Sequence, residues 1–248
     1  MKYKTILFDA DMTLFDFKAS ESHCLEQTLI EYAFPHDPQV LALYSRINDS
    51  YWKRFERGEI DRAALLTARF DEFFHELNVS GNSAEFNRRY LENMGESALL
   101  LNGAEELCRD LCQTHRLYII TNGNSRNQRR RFEKSGFHAY FKDFFISEEI
   151  GYNKPSKEYF DACFAAIDGF DREKAMIVGD SLTSDIRGGI NAGLKTVWVN
   201  PDHLDCGDIR PDHEIEALHQ LEALLVILSL HCRPDEYHLL ILEGLEFP

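Results

Sequence analysis

Short apolar runs and longer amphipathic stretches alternate along most of this 248-residue chain. Runs of four or five mainly apolar residues, each followed by a turn or a polar signal, are typical of strands buried on both faces of a parallel sheet. They predict strands over residues 5–9, 117–121, 144–147, 175–179 and 196–199. Apolar residues at helical spacing predict intervening helices over residues 104–115, 125–134, 157–167 and 184–191. This order indicates an α/β fold with an open, doubly wound parallel sheet.

The segment from residue 17 to residue 100 departs from this alternation, because its patterns are helical throughout. Four helices are predicted there, over residues 21–33, 38–57, 61–77 and 83–93. In the second of them, apolar residues recur at spacings of three and four, which indicates one buried face. We therefore predict a Rossmann-like core of residues 1–16 and 101–230 with an inserted all-helical cap domain of residues 17–100. The role of the remaining tail, residues 231–248, is left open.

The charge balance narrows the range of partners. With 42 acidic and 27 basic residues, the formal net charge is −15, which is unsuited to nucleic acid as a partner.

No apolar run reaches the roughly 18 residues that a membrane span needs. The first residues lead directly into a strand pattern, without the cleavage region of an export signal. We therefore expect a cytoplasmic protein with no membrane partner, either a monomer or a homodimer.

The six cysteines show no compact zinc or disulfide spacing. Cys108 and Cys112 lie four residues apart, which on a helix places them on one face. A metal pair is one interpretation. Two small core residues are favoured, because no second pair of ligands is near in the sequence.

Polar residues of a consistent kind follow four of the predicted strands. In chain order they are Asp9 and Asp11, then Thr121, Asn122 and Gly123, then Lys154, and last Asp180 and Asp185. Because ligands of an open α/β sheet bind outside the carboxyl ends of the strands, we expect these residues to converge. Each has an ordinary explanation by itself, as a helix cap, a plain turn or a solvated lysine. Their joint occurrence at successive strand ends favours a functional site.

The chemistry of this set points to a metal ion and a phosphate. Clustered carboxylates repel one another unless a hard cation lies between them, and magnesium is the natural occupant. The cation would also present positive charge to a phosphoryl group. Asp9 is then free to attack phosphorus and form an aspartyl-phosphate. Asp11 could protonate the leaving alcohol and then accept a proton from the attacking water.

The remaining residues of the set suit the phosphate itself. The hydroxyl of Thr121 and the backbone N–H groups of Asn122 and Gly123 are suitable donors to phosphate oxygens near the start of a helix. Lys154 would offset negative charge on both the phosphate and Asp9.

These residues resemble the four ordered motifs of the haloacid dehalogenase superfamily of phosphotransferases. The matching stretches are residues 9–14, residues 121–123, Lys154 with Pro155, and residues 179–185. The resemblance implies that Asp9 is the nucleophile and Asp11 the general acid and base. It also implies that Asp180 binds magnesium beside Asp9 and the backbone carbonyl of Asp11, while Asp185 binds it less directly or holds Lys154. Asp11 favours a phosphatase, since the dehalogenases carry no carboxylate at that position.

A closer resemblance is to the noncanonical pyrimidine 5'-nucleotidases of that superfamily. It rests on residues 8–11, 146–151 and 184–193, with Trp198 and Asn200 following. Such enzymes remove the 5'-phosphate from pyrimidine nucleoside monophosphates. Met12 departs from the Gly or Glu that is more usual at its position there.

Three functional hypotheses follow. The leading one is a magnesium-dependent phosphomonoesterase that hydrolyses pyrimidine nucleoside 5'-monophosphates, so that the partner is a small phosphorylated metabolite. The first alternative is a sugar-phosphate or phosphoglycolate phosphatase with the same catalytic residues. The second is a phospho-acceptor signalling switch, which Asp11 and the length of the chain disfavour.

Residues that could contact the rest of the substrate are less well defined by the sequence. Candidates in the predicted cap are Trp52, Arg54, Phe55, Arg69 and Phe70, although aromatic residues at helical spacing are more often core. Four arginines of the helix over residues 125–134 could attract an anion, or could simply form one exposed helix face; they are Arg126, Arg129, Arg130 and Arg131.

Overall fold

The computed structural model describes residues 2–230, which contain a six-stranded, wholly parallel sheet. Its strands are β1 Thr5–Phe8, β2 Arg116–Thr121, β3 Asp143–Ile146, β4 Ala175–Gly179, β5 Lys195–Val199 and β6 His213–Ile215. They lie in the order β3-β2-β1-β4-β5-β6, which confirms the predicted doubly wound sheet. The edge strand β6 was not predicted, because three residues that include two polar ones make no apolar run.

The centre of the sheet is β1, which is hydrogen-bonded to β2 on one side and to β4 on the other. All four of its residues are buried, as its unbroken apolar run predicts. Alternation along the strand directs Ile6 and Phe8 into the apolar cluster on one face and Leu7 into the cluster on the other. The carboxyl end of β1 lies where the strand order reverses, which is the expected ligand position in such a sheet.

Helices cover both faces of the sheet. They are α5 Ala104–Leu111, α6 Ser125–Lys134, α7 Ser147–Ile150, α8 Lys157–Ala166, α9 Arg187–Ala192 and α10 Gln220–Leu230. A π-helical segment, Leu182–Ile186, precedes α9, so the predicted helix over residues 184–191 is in fact two helical pieces. Cys108 of α5 is fully buried among apolar residues of one face, as the core interpretation expects.

Residues 17–96 form four helices with an apolar cluster of their own, which we name the helical unit. Its members are α1 Phe17–Glu31, α2 Pro38–Glu56, α3 Arg62–Leu77 and α4 Ser83–Glu96. The first begins four residues earlier than predicted, because the Asp16 carboxylate accepts a hydrogen bond from the N–H of Ala19 and caps the helix there.

The two segments that connect the helical unit to the sheet lie side by side. The N–H of Asp16 donates to the carbonyl of Leu99 at 2.9 Å, and the N–H of Leu101 donates to the carbonyl of Leu14 at 2.8 Å. The chain therefore leaves the sheet region and returns to it at one place.

Over residues 2–230, none of the helices has the length and apolar character needed to cross a membrane. The predicted tail, residues 231–248, lies outside the described residues.

Candidate active site

Three aspartates converge at the carboxyl ends of β1 and β4. Asp9 follows β1 directly, Asp180 follows β4, and Asp185 comes from the π-helical segment. Each offers a carboxylate oxygen, and these oxygens all lie within 4.8 Å of one another. Gly179 permits this approach, since a Cβ at that position would lie 2.3 Å from a carboxylate oxygen of Asp185. The structure thus brings together residues that are 176 positions apart in the chain.

A single buried lysine bridges two of these aspartates. Lys154 Nζ lies 2.6 Å from Asp9 Oδ1 and 2.7 Å from Asp185 Oδ1, and its third donor reaches the carbonyl of Ile120 at 3.0 Å. Its side chain is 1% exposed. All three protons of the ammonium group are therefore used, and the lysine is fixed between the carboxylates.

Asn122 holds this lysine through its backbone. The Asn122 side-chain amide donates to the carbonyl of Lys154 at 3.0 Å and accepts from the N–H of Lys154 at 2.9 Å. Sequence reasoning assigned Asn122 to phosphate through its own N–H. The structure shows in addition that its side chain braces the loop that delivers Lys154.

The electrostatics of the cluster favour a cation. Burial raises the pKa of Asp9, the Asp185 charge raises it further, and Lys154 opposes the rise. Burial also raises the pKa of Asp180 well above its ordinary value. Burial alone would lower the pKa of Lys154, but its two carboxylate partners raise it instead. Three carboxylates with one lysine leave uncompensated negative charge, and an all-oxygen donor set of this kind suits a divalent cation such as Mg²⁺.

The second predicted catalytic carboxylate, Asp11, lies outside this cluster. Its Oδ1 accepts a hydrogen bond from Arg131 Nη1, and its Oδ2 accepts one from Gln128 Nε2 at 2.6 Å. The side chain of Asp11 is 26% exposed, whereas that of Arg131 is 2% exposed. The interpretation of the four arginines as one exposed helix face is therefore wrong for Arg131.

The turn that carries Asp11 has a left-handed residue at Met12, with φ of 62°. A side chain costs about 1–2 kcal/mol in that conformation, which explains why glycine suits the position. The turn is closed by the N–H groups of Leu14 and Phe15, which both donate to the carbonyl of Ala10 at 2.9 Å. The backbone is thus fixed around Asp11 even with methionine at the left-handed position.

The residues after β2 line the same cavity as the aspartates. The hydroxyl of Thr121 accepts from the N–H of Gly123 at 3.0 Å, so this N–H already has a partner inside the loop. Thr121 is buried, and Gly123 is followed by α6, whose first turn is capped by the side chain of Asn124. The predicted phosphate-binding loop thus lies beside the aspartate cluster.

The cavity above the aspartates has a volume of about 730 Å³ and is lined on its far side by α1 and α2. Polar and aromatic side chains of the helical unit that line it include Glu21, Ser45, Asn48, Trp52 and Glu56. A volume of this size is within the ordinary range for small-molecule sites.

Of the predicted cap contacts, Trp52 is the one that lines this cavity. Phe55 and Phe70 are buried in the apolar cluster of the helical unit. Arg69 is buried as well and donates to the side chains of Asn48 and Asn87. The preference for core aromatic residues at helical spacing is therefore confirmed for both phenylalanines.

Sequence reasoning missed Gln128 and Arg62, and it named Arg131 without identifying Asp11 as its partner. Gln128 and Arg131 face Asp11 from α6, and Arg62 of α3 donates to the carbonyl of Asn122 and the hydroxyl of Ser147, both at 2.8 Å. Arg131 is the last of three consecutive arginines, so its residue type does not single it out. The one available signal is that Gln128 and Arg131 lie three residues apart and therefore share a helix face.

Comparison with known proteins identifies relatives of this arrangement. Residues 3–193 match the family model described as haloacid dehalogenase-like hydrolase. The pyrimidine 5'-nucleotidase YjjG of Escherichia coli is 35% identical, over 91% of this chain and 99% of that protein. The pyrimidine 5'-nucleotidase PynA of Streptococcus pneumoniae is 36% identical, over 83% of this chain and 87% of that protein.

A solved structure extends the likeness to three dimensions. The HAD-hydrolase YfnB of Bacillus subtilis, in a crystal structure bound to magnesium that reveals interdomain movement, superposes with a TM-score of 0.88. It is 38% identical and covers 91% of this chain and 99% of that one. Both the sheet region and the helical unit therefore have counterparts in proteins of nearly the same length.

Proposed function

Since this chain belongs to the haloacid dehalogenase-like hydrolase family and is a phosphatase of that family, we propose that it is a magnesium-dependent 5'-nucleotidase for pyrimidine nucleoside monophosphates. The observation that carries the proposal is the cluster of Asp9, Asp180 and Asp185 with the buried Lys154 at the floor of the cavity. Two relatives of similar length, YjjG and PynA, are pyrimidine 5'-nucleotidases, and this supports the choice of substrate.

The proposed reaction has two steps. A carboxylate oxygen of Asp9 attacks phosphorus, forming an acyl-phosphate bond as the bond from phosphorus to the 5'-oxygen breaks. Asp11 donates a proton to that oxygen, which leaves as the nucleoside hydroxyl. Water then attacks the phosphorus of the aspartyl-phosphate, Asp11 accepts its proton, and inorganic phosphate leaves with Asp9 restored.

The other residues of the cluster stabilise charge. Mg²⁺ would be held by Asp9, Asp180 and the backbone carbonyl of Asp11, with Asp185 in a less direct role, and would supply positive charge to the phosphoryl oxygens. Lys154 offsets charge on Asp9 and on the phosphate, and its fixed position costs no reorganisation during the reaction. The Thr121 hydroxyl and the N–H groups of Asn122 and Gly123 are proposed to bind the remaining phosphate oxygens, for which the Gly123 N–H would exchange its present partner, Thr121 Oγ1.

We further propose that the helical unit, as the cap domain of residues 17–100, forms the pocket for the nucleoside. The cavity offers the ring of Trp52 for stacking on a base, and the carboxylate of Glu21, which accepts one hydrogen bond from Asn48, for a contact to its polar edge. The division from the core of residues 1–16 and 101–230 is supported by the two adjoining connecting segments. The interdomain movement of YfnB is consistent with a cap that opens to admit substrate.

The test is phosphate release from a panel of pyrimidine and purine nucleoside monophosphates, sugar phosphates and phosphoglycolate, with Mg²⁺ and with a chelator. We expect the pyrimidine nucleotides to have the highest kcat/KM, and chelation or the Asp9→Asn substitution to remove turnover. A preference for a sugar phosphate would change the proposed substrate but not the proposed mechanism. Full turnover by Asp9→Asn would refute the mechanism, and a long-lived aspartyl-phosphate without turnover would indicate a phospho-acceptor switch.

A further inference from the structure

We propose that Arg131 and Gln128 of α6 are positioning residues that hold Asp11 for proton transfer, an inference that rests on the proposed phosphatase function. Neither residue belongs to the four motifs by which the site is identified. Their side chains meet the two oxygens of one carboxylate, and both are themselves almost completely buried.

The carboxylate of Asp11 is held at both oxygens. Arg131 Nη1 donates to Oδ1, and Gln128 Nε2 donates to Oδ2 at 2.6 Å. A carboxylate held by one donor can still rotate about its side-chain bonds, whereas two donors on different oxygens fix its plane. The turn fixes the backbone of Asp11, whereas both donors that orient its carboxylate come from α6.

Arg131 is itself fixed by its surroundings. Its Nε donates to the carbonyl of Ser97 at 3.1 Å, and the guanidinium lies over the ring of Phe15 with 4.3 Å between its central carbon and the ring centroid. Ser97 and Phe15 belong to the two segments that connect the helical unit to the sheet. Arg131 therefore ties the orientation of Asp11 to the connection between the two parts of the molecule.

Gln128 is fixed from the opposite side, by the loop after β2. Its Nε2 also lies 3.4 Å from the hydroxyl of Thr121. A Cβ at Gly123 would lie 2.3 Å from the same Nε2, so the glycine provides the space that the Gln128 side chain occupies. This close approach gives Gly123 a second role, besides its proposed contact with phosphate.

The chemistry explains why such positioning matters. Proton transfer requires the carboxylate within hydrogen-bond distance of the leaving oxygen, and a displacement of about 1 Å can cost about a hundredfold in rate. An alkyl oxygen such as the 5'-oxygen of a nucleotide needs this proton in order to leave. The oxygen of p-nitrophenol can leave as an anion. A displaced Asp11 should therefore lower kcat/KM for the nucleotide more than kcat/KM for p-nitrophenyl phosphate.

The experiment compares kcat/KM for p-nitrophenyl phosphate and for the alkyl phosphate that the wild-type protein hydrolyses fastest. The variants are Gln128→Leu, Arg131→Lys and Asp11→Asn, with Arg129→Lys as matched control on the same helix. Arg129 is exposed and pairs with Glu149, so its substitution changes no contact of Asp11. Asp11→Asn removes the proton donor altogether and so gives the largest expected difference between the two substrates in the loss of kcat/KM.

We expect Gln128→Leu and Arg131→Lys to lower kcat/KM for the alkyl phosphate by about 10–100-fold, within the range of general acid catalysis. For p-nitrophenyl phosphate we expect less than about a threefold change, and for Arg129→Lys no change with either substrate. An equal fall for both substrates, or no fall, would overturn the positioning role. If Arg131→Lys does not fold, Gln128→Leu decides. A wild-type protein inactive on every phosphate monoester would refute the proposed function instead.

Discussion

Two aspartates that are two residues apart, Asp9 and Asp11, lie in different surroundings, and this sets their proposed roles. Asp9 is buried and pairs with Lys154, whereas Asp11 is partly exposed and is held by Arg131 and Gln128. A group that attacks phosphorus must be fixed beside the charge-stabilising residues, and a group that moves protons must reach the leaving oxygen. The sequence supplies two identical side chains, and their neighbours distinguish them.

At this scale we predict that Lys154→Met destabilises the metal-free protein by about 3–5 kcal/mol, because it leaves Asp9 and Asp185 buried without their shared cation. Urea unfolding in the presence of a chelator measures the change. The control is Lys157→Met, since Lys157 is exposed and pairs with the exposed Asp161, so its loss should cost about 0.5 kcal/mol or less. Equal stability of the two variants would show that Lys154 does not offset the charge of the cluster.

At the scale of elements, α2 and α3 contact the loops at the carboxyl edge of the sheet through polar side chains, in addition to the packing of α4 on α6. Glu56 at the end of α2 accepts hydrogen bonds from the hydroxyls of Ser181 and Thr183, beside the aspartate cluster. Arg62 at the start of α3 reaches the carbonyl of Asn122 in the loop after β2. Contacts of this kind can be broken one at a time, unlike the apolar cluster inside the unit, and so are suited to opening and closing.

We predict that Arg62→Ala weakens this contact by about 1.5–3 kcal/mol, the usual contribution of hydrogen bonds to a charged group. Hydrogen–deuterium exchange should then increase in residues 121–124 and 147–153, while the central strand β1 stays protected. Arg57→Ala is the control, because Arg57 is exposed and pairs with Glu59 inside the helical unit. Unchanged exchange in the Arg62 variant would mean that the contact does not hold the two parts together.

At the scale of the whole molecule, an acidic protein is proposed to bind an anionic substrate. The formal net charge is −15, and the three clustered aspartates add local repulsion at the place where phosphate would enter. Burial raises the pKa of Asp9 to about 8 and also raises the pKa of Asp180. Protons or a divalent cation can offset this charge, and the two therefore compete for the same oxygens.

We predict that stabilisation by Mg²⁺ is larger at about pH 8 than at about pH 6. The raised pKa values mean that the metal-free folded state binds more protons than the unfolded state above the ordinary pKa of about 4, so its stability falls as pH rises towards about 8. Bound Mg²⁺ displaces those protons and removes this decline. At a hundredfold excess over Kd the gain at the higher pH should be about 2.7 kcal/mol.

Thermal unfolding with Mg²⁺ and with a chelator, at both pH values, measures this difference. The Asp180→Asn variant is the control, since it keeps the size of the side chain but removes one carboxylate of the cluster, and its gain from Mg²⁺ should be much smaller. A gain that is equal at both pH values would contradict competition between protons and the cation.

Most of the fold could be predicted from the sequence, since its elements depend on local patterns. The five buried strands follow from apolar runs, and the helices from periodicity and caps such as Asp37 and Asp61. The short strand β6 and the π-helical segment before α9 lack such a pattern. β6 forms because β5 offers a free edge, and this is a tertiary cause.

The sequence by itself determined the order of strands and helices, the helical insertion and the convergence of Asp9, Thr121, Lys154 and Asp180 at one edge of the sheet. It could do so because parallel strands bring their carboxyl ends to the same side, whatever the distance between them in the chain. Only the tertiary structure decided that Arg131 is buried against Asp11 and that Gln128 occupies the space left by Gly123. These depend on which face of α6 packs on the connecting segments, and a run of polar residues does not encode that choice.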